Sequence, residues 1–150
     1  MRPGTAREPE QITALLLLGD ENPQLIAEYI TRSSLFILTV SGVPRGVCAV
    51  TDEGNGTLEI QNLAVDPAFQ RQGFGRALLA HVEKTYAGCF SRMRLGTGES
   101  PLTLPFYLAC GFVVTGRDPD YFPRRYPVPI IEGGVLLRDR LLMEKAIGRD

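Results

Sequence analysis

Residues 58–85, LEIQNLAVDPAFQRQGFGRALLAHVEKT, decide the fold. Thr57 to Val65 is rich in β-formers, and Pro67 stops it, so this part reads as a strand. From Gly75 to about Ala87, Leu78, Leu79, Val82 and Tyr86 recur at helical spacing, with Arg76, Ala80, Glu83 and Lys84 on the rest of the surface. That pattern suits a helix lying on a sheet. Between the two lies Gln70-Arg71-Gln72-Gly73-Phe74-Gly75, a tight glycine-bearing loop. The first N–H groups of a helix lack intrahelical acceptors and the helix dipole is positive there, so such a loop is a ready-made anion site.

Two familiar glycine loops do not fit. A dinucleotide fingerprint beginning at Gly73 needs Gly or Ala where Leu78 stands. A Walker loop needs Gly-Lys-Ser/Thr after the glycines, and none follows. What survives is a diphosphate cradled by backbone N–H groups from Gln70 to Arg76. Arg71 and Arg76 either add charge there or are solvated surface arginines. About thirty residues downstream comes a second motif, Phe106-Tyr107-Leu108-Ala109-Cys110-Gly111-Phe112.

With Leu63-Ala64-Val65-Asp66-Pro67 ahead of the loop, these residues resemble the GNAT superfamily of acetyl-coenzyme A dependent N-acetyltransferases. The family's loop reads Gln/Arg-x-x-Gly-x-Gly/Ala, which Gln70, Gly73 and Gly75 match in register, and its later Phe-Tyr-x-x-x-Gly-Phe matches Phe106, Tyr107, Gly111 and Phe112. The likeness is specific from about Gly46 to Val114. It implies a single α/β domain over 1–150, with a mixed, mostly antiparallel sheet whose central strands splay and which helices flank. It implies acetyl-CoA as cosubstrate, with the loop residues Gln70, Arg71, Gln72, Gly73, Phe74, Gly75 and Arg76 on its diphosphate. The pantetheine arm would pair with the backbone of Leu63 and Val65, by strand addition. A bulge in that strand would aim a backbone N–H near Leu63 or Ala64 at the thioester oxygen, favouring the tetrahedral oxyanion.

Acetyl transfer to an amine requires a neutral nucleophile and a stabilised thiolate leaving group. Tyr107, at the family's Phe-Tyr position, is the candidate acid for the thiolate. Glu59 is the candidate base, a carboxylate in a largely apolar sheet able to hold a proton-removing water; the alternative is an ordinary carboxylate near a hairpin. Plain alternation puts Glu59, Gln61 and Leu63 on one strand face and Leu58, Ile60 and Asn62 on the other. His81, the single histidine, lies two turns into the helix and reads as a surface or packed residue. No Ser/His/Asp, Cys/His or metal-ligand constellation is evident, so direct attack in a ternary complex is expected, without metal.

Two departures from the family matter. Ser100 stands where the family often has Asn; it can cap a helix at Pro101 and bond the cofactor arm, with shorter reach. Pro105 is incompatible with a regular helix begun at Pro101, so a kinked or late-starting helix is expected. After Gly116, the segment Arg117–Pro127 is dense in aromatics, arginine and proline and cannot be a central strand. Since the same region lines acceptor pockets in the family, Tyr121, Phe122, Arg124, Arg125 and Tyr126 are candidate substrate contacts. Two arginines among aromatics suit an acceptor with a carboxylate or phosphate; a surface or dimer loop is the alternative.

Elsewhere, Met1 to Pro9 is poorly patterned, and Glu10 to Leu18 reads as a helix ended by Gly19. Asn22-Pro23 caps a second helix with Leu25, Ile26, Tyr29 and Ile30 as its apolar stripe. Leu35–Val40 and Gly46–Asp52 read as strands around the turn Ser41-Gly42-Val43-Pro44, and Glu53-Gly54-Asn55-Gly56 as a hairpin turn. Arg92–Thr97, Phe112–Gly116 and part of Val135–Ile147 are further strands, the last with Leu141, Leu142 and Met143 as core, beside turn charges Arg138-Asp139-Arg140.

A net charge of −1 argues against nucleic acid as main partner. The longest early apolar run, Leu15–Leu18, is too short for a leader or a membrane span. Three cysteines without metal spacing suggest reduced thiols in a cytoplasm. The expectation is therefore a cytoplasmic N-acetyltransferase acting on a primary amine, small molecule or peptide, with a homodimer left open. Its rival is a non-catalytic acyl-CoA binding module that regulates a partner.

Overall fold

In the computed structural model, residues 2–4 and 10–147 are described, and they form two compact units, Met1–Ser91 with Ile147–Asp150, and Arg92–Ala146. The first unit runs β1 (Arg2–Gly4), α1 (Glu10–Gly19), α2 (Pro23–Ile30), β2 (Ser34–Val40), β3 (Val43–Gly54), β4 (Thr57–Val65), a 3-10 turn (Pro67–Phe69) and α3 (Phe74–Tyr86). Its strands pair antiparallel in the order β1-β2-β3-β4. The poorly patterned N-terminus supplies β1, too short to announce itself by alternation; the rest of Met1–Pro9 lies outside the described residues.

Both hairpin turns follow from their sequences. Ser41 and Gly42 have φ of 53° and 79°, and Asn55 and Gly56 have 55° and 74°. Two successive left-handed residues match the twist of the flanking strands, and Asn-Gly adopts that geometry at least cost. One sheet face carries a core of Ile12, Leu15, Leu16 and Tyr29 from α1 and α2 on Leu35, Ile37, Val47, Ala49 and Ala64. Leu78 of α3 reaches Gly46 on the other face, where a Cβ would lie 3.0 Å from its Cδ1. Asn22 caps α2 as expected, its Oδ1 accepting from Gln24 N at 2.9 Å.

Gly19 ends α1 as expected, but not by a left-handed conformation. A Cβ there would fall 2.0 Å from Asn62 Oδ1. Glycine is required for space, not for φ.

The plain alternation expected of β4 is also corrected. Ala49 pairs with Asn62 and Val50 with Ile60, so Gln61 is one residue too many, a β-bulge. Paired residues share a face and neighbours on β3 do not. Asn62 therefore lies on the α1–α2 face with Ala49, while Ile60 lies opposite with Val50. Burial still alternates along β4 because both faces are covered.

The second unit runs β5 (Arg92–Gly98), α4 (Leu104–Ala109), β6 (Val113–Asp118), α5 (Tyr121–Arg125), β7 (Ile131–Glu132), β8 (Val135–Leu136) and β9 (Arg140–Ala146). β9 pairs antiparallel with β5 on one side and β6 on the other, while β7 and β8 form a separate ribbon. Leu141 and Met143 are buried as expected; Leu142, on the alternate face, is only half-buried. The segment expected to be loop contains α5, opened by Asp120 at φ 51°.

Candidate active site

In the first unit, the loop between β4 and α3 is shaped by left-handed residues. Arg71 and Gly73 have φ of 64° and 82°. The first helical bond of α3 runs from Ala77 N to Gly73 O at 2.9 Å, so the N–H groups of Phe74, Gly75 and Arg76 precede any intrahelical acceptor. No side chain caps this end. Donors around an αL residue at a helix start form an anion-binding concavity.

Gln70 is tied back to the strand, its Nε2 donating to Val65 O at 2.9 Å. Arg71 and Gln72 are exposed, as is the Arg76 side chain one turn along. Asp66 fixes the entry: Oδ1 accepts from Ala68 N at 2.9 Å and Oδ2 from Arg45 Nη1 at 2.9 Å. The Ala68 amide first, and then Arg45, hold its carboxyl below the usual range. Arg45 also lies 4.6 Å over the Phe69 ring. These bonds join Leu63, Ala64 and Val65 to the loop in one continuous stretch.

The bulge turns Gln61 and Asn62 to the same face. Gln61 Nε2 donates to Thr51 Oγ1 at 3.1 Å, and that hydroxyl donates to Glu53 Oε2 at 2.5 Å. Arg32 Nη1 closes the chain on Glu53 at 2.7 Å. Glu59, half-buried, is the register partner of Thr51 and shares this polar face.

In the second unit, α4 starts late, at Leu104, as Pro105 demanded; the proline occupies the first turn, where its missing N–H costs nothing. Ser100, buried, caps an earlier turn, its Oγ accepting from Leu102 N at 3.0 Å. The residue before the helix is Thr103, whose hydroxyl bonds Thr97 Oγ1 at 3.0 Å. Tyr107 stands edge-on to Phe106 and to the buried Phe112, with centroids 5.1 and 5.9 Å away. Phe112 N donates to Tyr107 O at 3.1 Å, so the Gly-Phe turn folds back on the tyrosine.

Tyr121 and Phe122 of α5 come together with Tyr126, which follows the helix, Phe122 stacking on Tyr126 at 5.6 Å. Arg125 lies 5.7 Å over the Tyr121 ring. Arg124 turns to Asp118 Oδ1 at 2.8 Å and to Pro119 O at 3.1 Å. Arg140, read from sequence as a turn charge, lies 4.3 Å over Tyr121, its stem crossing Gly96 where a Cβ would fall 2.4 Å from Cδ. No sequence signal marks Arg140, Thr51 or Asn62, because each owes its place to tertiary pairing. His81 meets Phe36 edge-on at 5.7 Å, a packed histidine. Among the described residues, no group of three or more His, Cys, Asp or Glu is placed to hold a metal.

A bulged strand, a helix start with no side-chain cap and a Tyr-x-x-x-Gly-Phe turn point to an acyl-CoA dependent acyltransferase. The family model described as acetyltransferase (GNAT) domain matches residues 31–114. A Bacillus subtilis protein named as the uncharacterized N-acetyltransferase YvbK is 33% identical over 87% of this chain and 85% of its own. A GNAT family acetyltransferase from Elizabethkingia anophelis, solved with acetyl-CoA bound, superposes with a TM-score of 0.91 at 32% identity, over 97% of this chain and 96% of that one. A Bacillus subtilis acetyltransferase in complex with CoA gives 0.87 at 30% identity, over 98% and 99%. The chain belongs to the GNAT family and has its α/β fold. It is an N-acetyltransferase that uses acetyl-CoA as cosubstrate, which decides against a purely regulatory binding module.

Proposed function

We propose that the protein transfers acetyl from acetyl-CoA to a primary amine, on a small molecule or a peptide, by direct attack in a ternary complex. The observation that carries this reading is the continuity of the β4 bulge with the left-handed loop at the start of α3. In it, the amides from Gln70 to Arg76 hold the diphosphate and the backbone of Leu63 and Val65 receives the pantetheine arm. A backbone N–H near Leu63 or Ala64 meets the thioester oxygen and stabilises the oxyanion as it forms. Ser100 contributes to the cofactor arm. Glu59 removes the ammonium proton through a water, and Tyr107 protonates the departing thiolate.

Cys48 offers no covalent acetyl-enzyme route, since it is fully buried and burial pushes its thiol up to about 12. Tyr121, Phe122, Arg124, Arg125 and Tyr126 contact the acceptor, and cations beside aromatic rings favour one that carries a carboxylate or phosphate. The reading includes a cytoplasmic location, in keeping with three free thiols, and a homodimer, for which exposed Val113 and Val114 on β6 offer an apolar strand.

An amine panel with acetyl-CoA, followed by release of free thiol, tests the chemistry. Tyr107→Phe should lower kcat by about a hundredfold and leave CoA affinity within about twofold. A stable, functional acetyl adduct in the intact mass after incubation with acetyl-CoA alone would overturn direct transfer.

A further inference from the structure

Besides Ser100, the described residues bury three polar side chains that neither the cofactor loop nor the acid–base pair uses, Thr51, Thr57 and Asn62, and Asn62 is the one that ties the bulge to the helices. Asn62, 4% exposed, donates through Nδ2 to Leu16 O at 2.8 Å and to the Tyr29 hydroxyl at 3.0 Å. Its Oδ1 is buried and accepts no hydrogen bond among the described residues. That oxygen lies against Gly19, at a position that leaves no room for a Cβ. A buried acceptor without a donor costs stability and offsets part of what the two Nδ2 bonds contribute. Stability alone therefore does not account for Asn62, and its neighbour shows what it is for.

Gln61 is the bulge residue, and Asn62 follows it on the same face. The first amide is anchored to the sheet, through the buried Thr51 hydroxyl to Glu53 and Arg32. The second is anchored to the helices, at the last turn of α1 and at α2. A bulge breaks the ladder and leaves its extra residue unpaired, so its backbone direction has to be fixed from outside the ladder. Two adjacent amides held at opposite ends provide that fixing.

We infer that Gln61 and Asn62 form a clamp that orients the bulge of β4, with Asn62 and Thr51 as positioning residues for acetyl transfer. The inference rests on the reading above, in which an N–H just after the bulge meets the thioester oxygen. The clamp holds that N–H on the line of the developing oxyanion, and touches neither the diphosphate nor the acceptor.

The test is infrared difference spectroscopy of acetyl-CoA carrying a 13C carbonyl, bound to the full-length protein, with CoA affinity measured by calorimetry. Bound to the wild type, the thioester carbonyl should shift to lower wavenumber, as a hydrogen-bonded carbonyl does. Asn62→Leu should reduce or broaden that shift while CoA affinity stays within about threefold, the two lost Nδ2 bonds lowering the unfolding midpoint without preventing folding. With an acceptor from the amine panel, kcat should drop by about 10–100-fold at little change in KM for acetyl-CoA. Thr51→Val, which releases the other anchor without altering the helices, should act in the same direction, and Thr51→Ser should restore the signal.

A wild type without a carbonyl shift would overturn the bulge donor itself. A wild-type shift that both variants keep would overturn the clamp alone. Variants that lose CoA affinity along with the shift would also overturn it, since the loop rather than the bulge would then be what they support.

Discussion

At the level of single residues, burial decides which side chains can react. Cys48 sits on β3 opposite Leu63, with none of its surface exposed, and removal from water disfavours its thiolate. Cys89 is exposed and Cys110 half-buried. An Ellman titration of the native protein should therefore modify Cys89 rapidly and leave Cys48 unmodified until denaturant is added; rapid native modification of all three thiols would contradict the burial. The sequence held the number of cysteines and their lack of metal spacing, but not which one is sealed. The same limit applies to Gly19. Its position after an apolar stripe suggests a helix end, whereas its cause lies at Asn62, over forty residues downstream.

Among the elements, the junction of β4 with α3 is set by a carboxylate. Asp66 caps the Pro67–Phe69 turn and pairs with Arg45, and its folded pKa lies below the usual 3.8. A depressed carboxyl contributes stability that is complete above about pH 4, where the unfolded chain is also ionised, and is lost as the pH falls through the folded value. Urea unfolding of Asp66→Asn should therefore differ most from wild type at neutral pH, with the gap closing as the pH drops below about 4. A gap that widens in acid would refute this sign. The helix α3, its glycine loop and the delayed start of α4 at Leu104 were legible because each depends on local chemistry: apolar spacing, φ > 0 at Gly73, and the missing N–H of Pro105. The bulge was not legible by alternation, since buried residues still recur at every second position across it. Only the pairing with β3 reveals that the faces exchange at Gln61. The short helix α5 was hidden for a similar reason: five residues with a central proline carry no period, and the Phe122 N–H to Arg138 O bond of 2.9 Å helps hold it.

For the molecule as a whole, cofactor binding should show as stability. A ligand that binds only the folded state at about a hundred times its Kd adds about 2.7 kcal/mol. For a chain of this size that raises Tm by about 5–10 °C. Differential scanning fluorimetry with CoA measures it, and an unchanged Tm at saturating CoA would contradict the cosubstrate. The amino-acid sequence alone determined the fold class, the glycine loop at the start of α3 and the candidate Tyr107, because these are written in contiguous motifs whose geometry follows from backbone chemistry. Only the tertiary structure decided that Arg124 is engaged by Asp118 while Arg140 covers Tyr121, and that Asn62 joins β4 to α1 and α2. Those contacts join residues that follow no shared period and, for Arg140 and Asn62, lie far apart in the chain. Strand register and packing bring them together, and neither is encoded in any one stretch of sequence.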